Sequence, residues 1–132
     1  MPRWSISWRL MFRVKNQAKA LRKIEEVRQA FGREIEFSAS ERYWKDESLW
    51  DCSVQVPAAD GSAAEVVFDC LVLAARLGNG WYILGLGGDG DPLVLSGVFD
   101  SHQTGIRHIS GLEWASFDLF PRREASELTQ AD

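Results

Sequence analysis

The 132-residue chain holds only two cysteines, two histidines and four prolines. Cys52 and Cys70 are too few for a disulfide framework and stand in no C-x-x-C spacing, so a disulfide-stapled domain and a zinc ribbon are both excluded. Both read as buried thiols. The longest unbroken apolar run, Cys70 to Ala75, falls far short of the roughly 18 residues of a membrane span. The start Met1-Pro2-Arg3-Trp4-Ser5 leads into no apolar segment of the kind a secretory signal carries. A cytoplasmic protein that engages no membrane is therefore expected. No serine stands in G-x-S-x-G, so nothing supports a nucleophile elbow.

The length suits one folding unit, and 45% hydrophobic with 26% charged residues is the ordinary balance of a globular protein. The expected organisation is a single domain over residues 1–120 and a flexible polar tail over 121–132. Charge is polarised along the chain. Residues 1–33 carry nine Lys/Arg against two Glu, a net +7, and residues 34–132 carry six basic against seventeen acidic residues, a net −11. One consequence is that the two parts partly cancel once folded. The other is an acidic surface that repels nucleic acid and attracts a basic protein.

Periodicity gives the elements. From Trp4 to Val14 every even position is apolar, while Ser5, Ser7, Arg9 and Arg13 take odd ones, which predicts a strand with one buried face. Asn16 can cap a following helix whose face is Ala20, Leu21, Ile24, Val27 and Phe31, and Gly32 supplies its stop. A hairpin follows over Glu34–Ala39 and Trp50–Val56, with its turn expected at Lys45–Ser48. Ala63–Leu77 reads as a helix burying Ala64, Val67, Phe68, Leu71, Ala74 and Ala75. Val66-Val67-Phe68 and the flanking dipeptides Asp60-Gly61 and Asn79-Gly80 keep a strand as the competing reading. Strands are expected again at Trp81–Leu86, Leu93–Phe99 and Leu112–Leu119. The order is an α+β fold, ferredoxin-like βαββαβ with extra C-terminal strands: an antiparallel sheet with two helices on one face. If Ala63–Leu77 is a strand, the alternative is one N-terminal helix on a long β-meander.

Few residues carry recognisable chemistry. Gly85-Leu86-Gly87-Gly88-Asp89-Gly90 satisfies G-x-G-x-x-G, but a dinucleotide fingerprint must open a helix, and here Pro92 and a β-rich run follow. A hairpin turn is the better reading. Asp89 and Asp91 lack the remaining ligands of a calcium loop. His102 and His108, near Asp100 and Glu113, are the sole candidates for a metal or general-base role, and their spacing fits no standard ligand pattern. No metal and no cofactor are expected.

Six tryptophans are many for so short a chain. Trp4, Trp8, Trp81 and Trp114 are assigned to core packing. Tyr43 and Trp44 differ, because they stand in a turn among Glu41, Arg42, Lys45, Asp46 and Glu47. An aromatic pair rimmed by charge is what a protein-binding hot spot requires.

Ala74-Ala75-Arg76-Leu77-Gly78-Asn79-Gly80-Trp81-Tyr82-Ile83-Leu84-Gly85 and Ile109-Ser110-Gly111-Leu112-Glu113-Trp114-Ala115-Ser116-Phe117, on a small acidic Trp-rich chain, resemble immunity proteins of bacterial polymorphic-toxin and contact-dependent inhibition systems. The resemblance implies a cytoplasmic, non-enzymatic protein that binds one cognate toxin domain. It carries over no binding residue. Charge and aromatics alone place the candidate partner-binding residues at Tyr43, Trp44, Asp46, Glu47, Asp89, Asp91 and Asp100. The expected partner is a basic protein toxin, with no nucleic acid, and the chain itself a monomer or homodimer. The alternatives are a ligand-sensing regulatory domain of ferredoxin-like type and a small enzyme using His102 or His108.

Overall fold

A computed structural model describes residues 4–87 and 94–121. In chain order it contains β1 (Trp4–Arg13), α1 (Gln17–Phe31), β2 (Glu36–Tyr43), β3 (Asp46–Pro57), α2 (Ala63–Leu77), β4 (Gly78–Asn79), β5 (Tyr82–Gly87), β6 (Val94–Asp100), β7 (Ile106–Arg107) and β8 (Leu112–Pro121). The fold is α+β, as its periodicities imply. Pro121, expected to open the tail, closes β8 opposite Trp4.

Both helices are fixed by their caps. The Asn16 side chain accepts from the Lys19 N–H at 2.9 Å, and Gly32 ends α1 in the left-handed region, at φ 69°, with its N–H on the Arg28 carbonyl. At α2, Ser62 and Glu65 form a reciprocal capping box. That S-x-x-E spacing, worth about 1 kcal/mol, decides between helix and strand for this segment.

The buried stripe of α2 is not the expected one. Val66, Cys70, Leu73, Ala74 and Leu77 are buried, whereas Phe68 is 69% exposed and Leu71, Ala64 and Ala75 are also exposed. This helix is apolar on more than one side, so its own periodicity does not choose the face that packs. The spacing of Val66, Cys70, Leu73 and Leu77 runs along one side, and the sheet and α1 cover that side.

Six strands form one sheet in the order β2-β3-β1-β8-β6-β5, antiparallel at every seam. β1 and β2 flank β3, so the first half has the split-βαβ order. In the second half β8 takes the place beside β1 that a ferredoxin-like sheet gives to the strand following its second helix. The β5–β6 hairpin extends the sheet beyond β8.

Ile6, Trp8, Leu10 and Phe12 of β1 are fully buried on the helix-covered face with Val54 and Val56 of β3, Phe99 of β6 and Phe117 of β8. Trp8 lies 5.0 to 5.9 Å from the rings of Phe31, Trp81 and Phe117. Each such aliphatic or aromatic side chain contributes about 1.5–3 kcal/mol. Cys52 and Cys70 are free and buried. Burial pushes the Cys70 thiol up to about 12 and raises that of Cys52. Among the described residues no helix is long and apolar enough to cross a membrane.

Candidate partner-binding surface

The helix-free face of the sheet and the β2–β3 hairpin form one surface. The hairpin turns on Trp44 and Lys45 alone, tighter than the expected Lys45–Ser48, with Tyr43 opposite Asp46. Asp46 Oδ1 accepts from the Ser48 N–H at 3.0 Å and the Ser48 hydroxyl at 2.6 Å. Those two donors, then Arg13, hold the Asp46 carboxyl below the usual carboxylate range. Arg42 donates to the Glu47 carbonyl at 2.6 Å and stacks 5.0 Å over Trp50. The turn is thus braced by side chains on both strands, and it projects Trp44 into solvent at 79% exposure. Tyr43 lies 6.2 Å away, and Lys45 Nζ sits 4.9 Å from the Trp44 ring.

Beneath the hairpin, Arg9 of β1 donates to both oxygens of Asp51, its shortest bond 2.7 Å. Its guanidinium carbon lies 6.0 Å from the Tyr43 ring and 5.8 Å from the Trp114 ring. Trp114 was assigned to the core by sequence. It stands instead on the helix-free face, because the irregularity that pairs Met11 with Trp114 but Phe12 with Leu112 shifts the alternation of β8 at Glu113.

Glu113, the extra residue of that bulge, is buried, accepts from Arg13 and Ser101, and has His102 and Arg107 beside it. Arg13 Nε approaches Oε1 at 2.7 Å, while Ser101 Oγ, His102 Nε2 and Arg107 Nη2 lie 3.0, 2.8 and 3.7 Å from Oε2. Burial pushes this carboxyl up. Arg13, Ser101 and Arg107 outweigh burial and hold it below the usual range. Arg13 also donates to Ser48 and lies 3.9 Å from Asp46, which ties the bulge to the hairpin.

Of the residues named from sequence, Tyr43, Trp44, Asp46 and Glu47 come together at the hairpin. Asp100 pairs with Trp114 across the sheet, and its side chain accepts from the His102 N–H at 2.9 Å. It braces the 101–105 turn instead of presenting a free carboxylate. Asp89 and Asp91 lie outside the described residues. His102 Nε2 comes within 2.8 Å of Glu113 Oε2, whereas the His108 side chain is exposed without such a contact among the described residues and its backbone N–H donates to the Leu77 carbonyl at 2.9 Å. Among the described residues no three His, Cys, Asp or Glu side chains are grouped to hold a metal ion. Arg9, Arg13, Asp51, Glu113 and Trp114 were not singled out as a surface. The alternation of β1 placed Arg9 and Arg13 on its polar face, but only the strand register supplies their partners.

Folding interleaves the two charge blocks. Arg9, Arg13 and Arg33 of the basic segment pair with Asp51, Glu113 and Asp69 of the acidic one. The polarity read along the chain is therefore partly cancelled. What survives locally is the β2 side, where exposed Glu36, Glu41 and Glu47 form no ion pair among the described residues.

Comparison with protein families, with curated proteins and with solved structures finds no match for the chain.

Proposed function

We propose that this chain is a protein-binding module, an immunity protein that neutralises a cognate bacterial toxin domain of basic character in the cytoplasm, and that it performs no catalysis itself. The observation that carries the reading is Trp44. A tryptophan 79% exposed at the apex of a braced two-residue turn adds nothing to the core, yet offers a large rigid apolar anchor. Glu41 and Glu47, at the same end of the hairpin, supply the steering charge for a basic partner. The test is co-expression with a toxin domain encoded immediately upstream in the source genome. The wild type should protect cells and co-purify with that domain, and Trp44→Ala should do neither as well. Unaltered protection by Trp44→Ala would remove this surface from the reading, and the lack of any such toxin would remove the immunity role.

A second reading, a ligand-sensing domain, has one observation in its favour. A cavity of about 460 Å³ lies along the outer face of α2, lined by residues that include Phe68, Val72, Arg33, Asp69 and Arg76. Its volume is within the range of small-molecule sites. Saturable binding of a small aromatic carboxylate, lost in Arg76→Gln, would favour this reading over the first.

A further inference from the structure

The two edges of the sheet are built differently. β2, at one edge, places Glu36, Glu41 and Arg42 along its length, and charge on an edge strand opposes the docking of another strand. β5, at the other edge, reads Tyr82-Ile83-Leu84-Gly85-Leu86-Gly87, with no charge and no proline. Among the described residues it pairs only with β6, so its outer row of backbone N–H and C=O groups meets no strand. Tyr82, Ile83 and Leu84 are 47%, 42% and 68% exposed. Ile106, paired with Asn79 just ahead of β5, is 66% exposed. These four side chains present several hundred Å² of apolar surface around a bare edge, the scale of the largest patches seen on monomers.

We propose that β5 is a homodimer seam, in which two copies pair β5 with β5 antiparallel about a two-fold axis near Leu84 and join two six-stranded sheets into one. The composition of the strand selects a second copy as the occupant. In an antiparallel pairing about Leu84, Ile83 of one copy stands opposite Gly85 of the other and Tyr82 opposite Leu86, so apolar positions meet only apolar or glycine positions. β5 has no charge to repel its copy, and none by which a basic partner would recognise it. The irregularity between Ile83 and Gly85 shortens the regular edge but leaves Leu84 outward as an apolar contact. A standard interface buries about 800 Å² per partner. This seam is smaller, so the dimer dissociates in the micromolar range. β2 lies at the far edge of each sheet, which leaves Trp44 free in both copies, and the inference stands whatever Trp44 binds.

Sedimentation equilibrium of the full chain from low micromolar to near-millimolar concentration tests the seam. The wild type and Trp44→Ala should rise from 14.9 kDa toward twice that mass, while Leu84→Lys should stay at 14.9 kDa with an unchanged circular dichroism spectrum. A wild type that remains at 14.9 kDa throughout, or a folded Leu84→Lys that dimerises like it, overturns the proposal. If Leu84→Lys does not fold, Leu84→Cys replaces it. Because Cys52 and Cys70 are buried, oxidised Leu84→Cys should yield a covalent dimer through the new thiol. Failure to crosslink while Glu36→Cys on β2 does so overturns the proposal equally.

Discussion

Arg13 Nε donates to Glu113 Oε1 at 2.7 Å across a sequence separation of 100, joining the end of β1 to the bulge in β8. The same guanidinium reaches Ser48 and Asp46, so a buried carboxylate sets the position of the hairpin that carries Trp44. Glu113→Gln should therefore destabilise the fold by about 1–3 kcal/mol at neutral pH, because the charge-assisted bond to Arg13 is lost and one of the two acceptor oxygens becomes a donor amide facing Arg13 or Ser101. The pH dependence has a defined sign. Glu113 titrates below the usual carboxylate range in the folded chain, so its contribution is complete above the unfolded value of about 4.3 and is lost as pH falls through the lower folded value. Urea unfolding from neutral pH into the acid range should show a shallower loss of stability in Glu113→Gln than in the wild type.

The two histidines should separate. His108 has an exposed side chain, and His108→Ala should change unfolding free energy by no more than about 0.5 kcal/mol. His102 Nε2 lies 2.8 Å from Glu113 Oε2 on a largely exposed side chain, and His102→Ala should cost about 0.5–1 kcal/mol. Equal effects in chemical denaturation would mean that the His102 contact contributes nothing.

Gly97 in β6 faces Phe117 in β8, and a Cβ at Gly97 would overlap the Phe117 ring. Gly97→Ala should cost about 1–3 kcal/mol, the usual range for overpacking. Phe117→Leu in the same chain should restore part of that loss. Additive thermal or urea destabilisation in the double variant would show that the ring is not the obstacle.

What was legible in the sequence follows the range of the interactions. Asn16, Gly32 and the alternation from Trp4 onward act over a few residues, and they set α1 and β1 as read. Ser62 and Glu65 were equally local and would have resolved α2 at once. The buried face of α2, the place of β8 beside β1 and the position of Trp114 on the helix-free face were not legible. Each depends on partners far along the chain: Gly97 under Phe117, or Leu112 and Trp114 on either side of a bulge opposite β1. The same holds for the surface. Tyr43 and Trp44 stand out by their neighbours in sequence, but Arg9 and Glu113 acquire meaning only once the register brings Asp51, Tyr43, Arg13 and His102 to them.

Kinetics with the partner should divide the hairpin into an anchor and a steering rim. Association should slow as salt rises, since charges farther apart than about 8 Å are screened at physiological ionic strength, and dissociation should respond less. Trp44→Ala should act mainly on the off-rate, at about 2 kcal/mol or more, because it removes a side chain that becomes desolvated only in the complex. Glu47→Lys should act mainly on the on-rate, because its side chain is exposed and it takes part in the hairpin through its backbone carbonyl. Asp46→Lys should do both. It reverses a charge, and it also breaks the bonds to Ser48 and places a cation beside Arg13, loosening the turn that presents Trp44. Both rate constants for the three variants, measured by surface plasmon resonance over a salt series, check this ordering. Wild-type rates in all three would move the interface away from the hairpin.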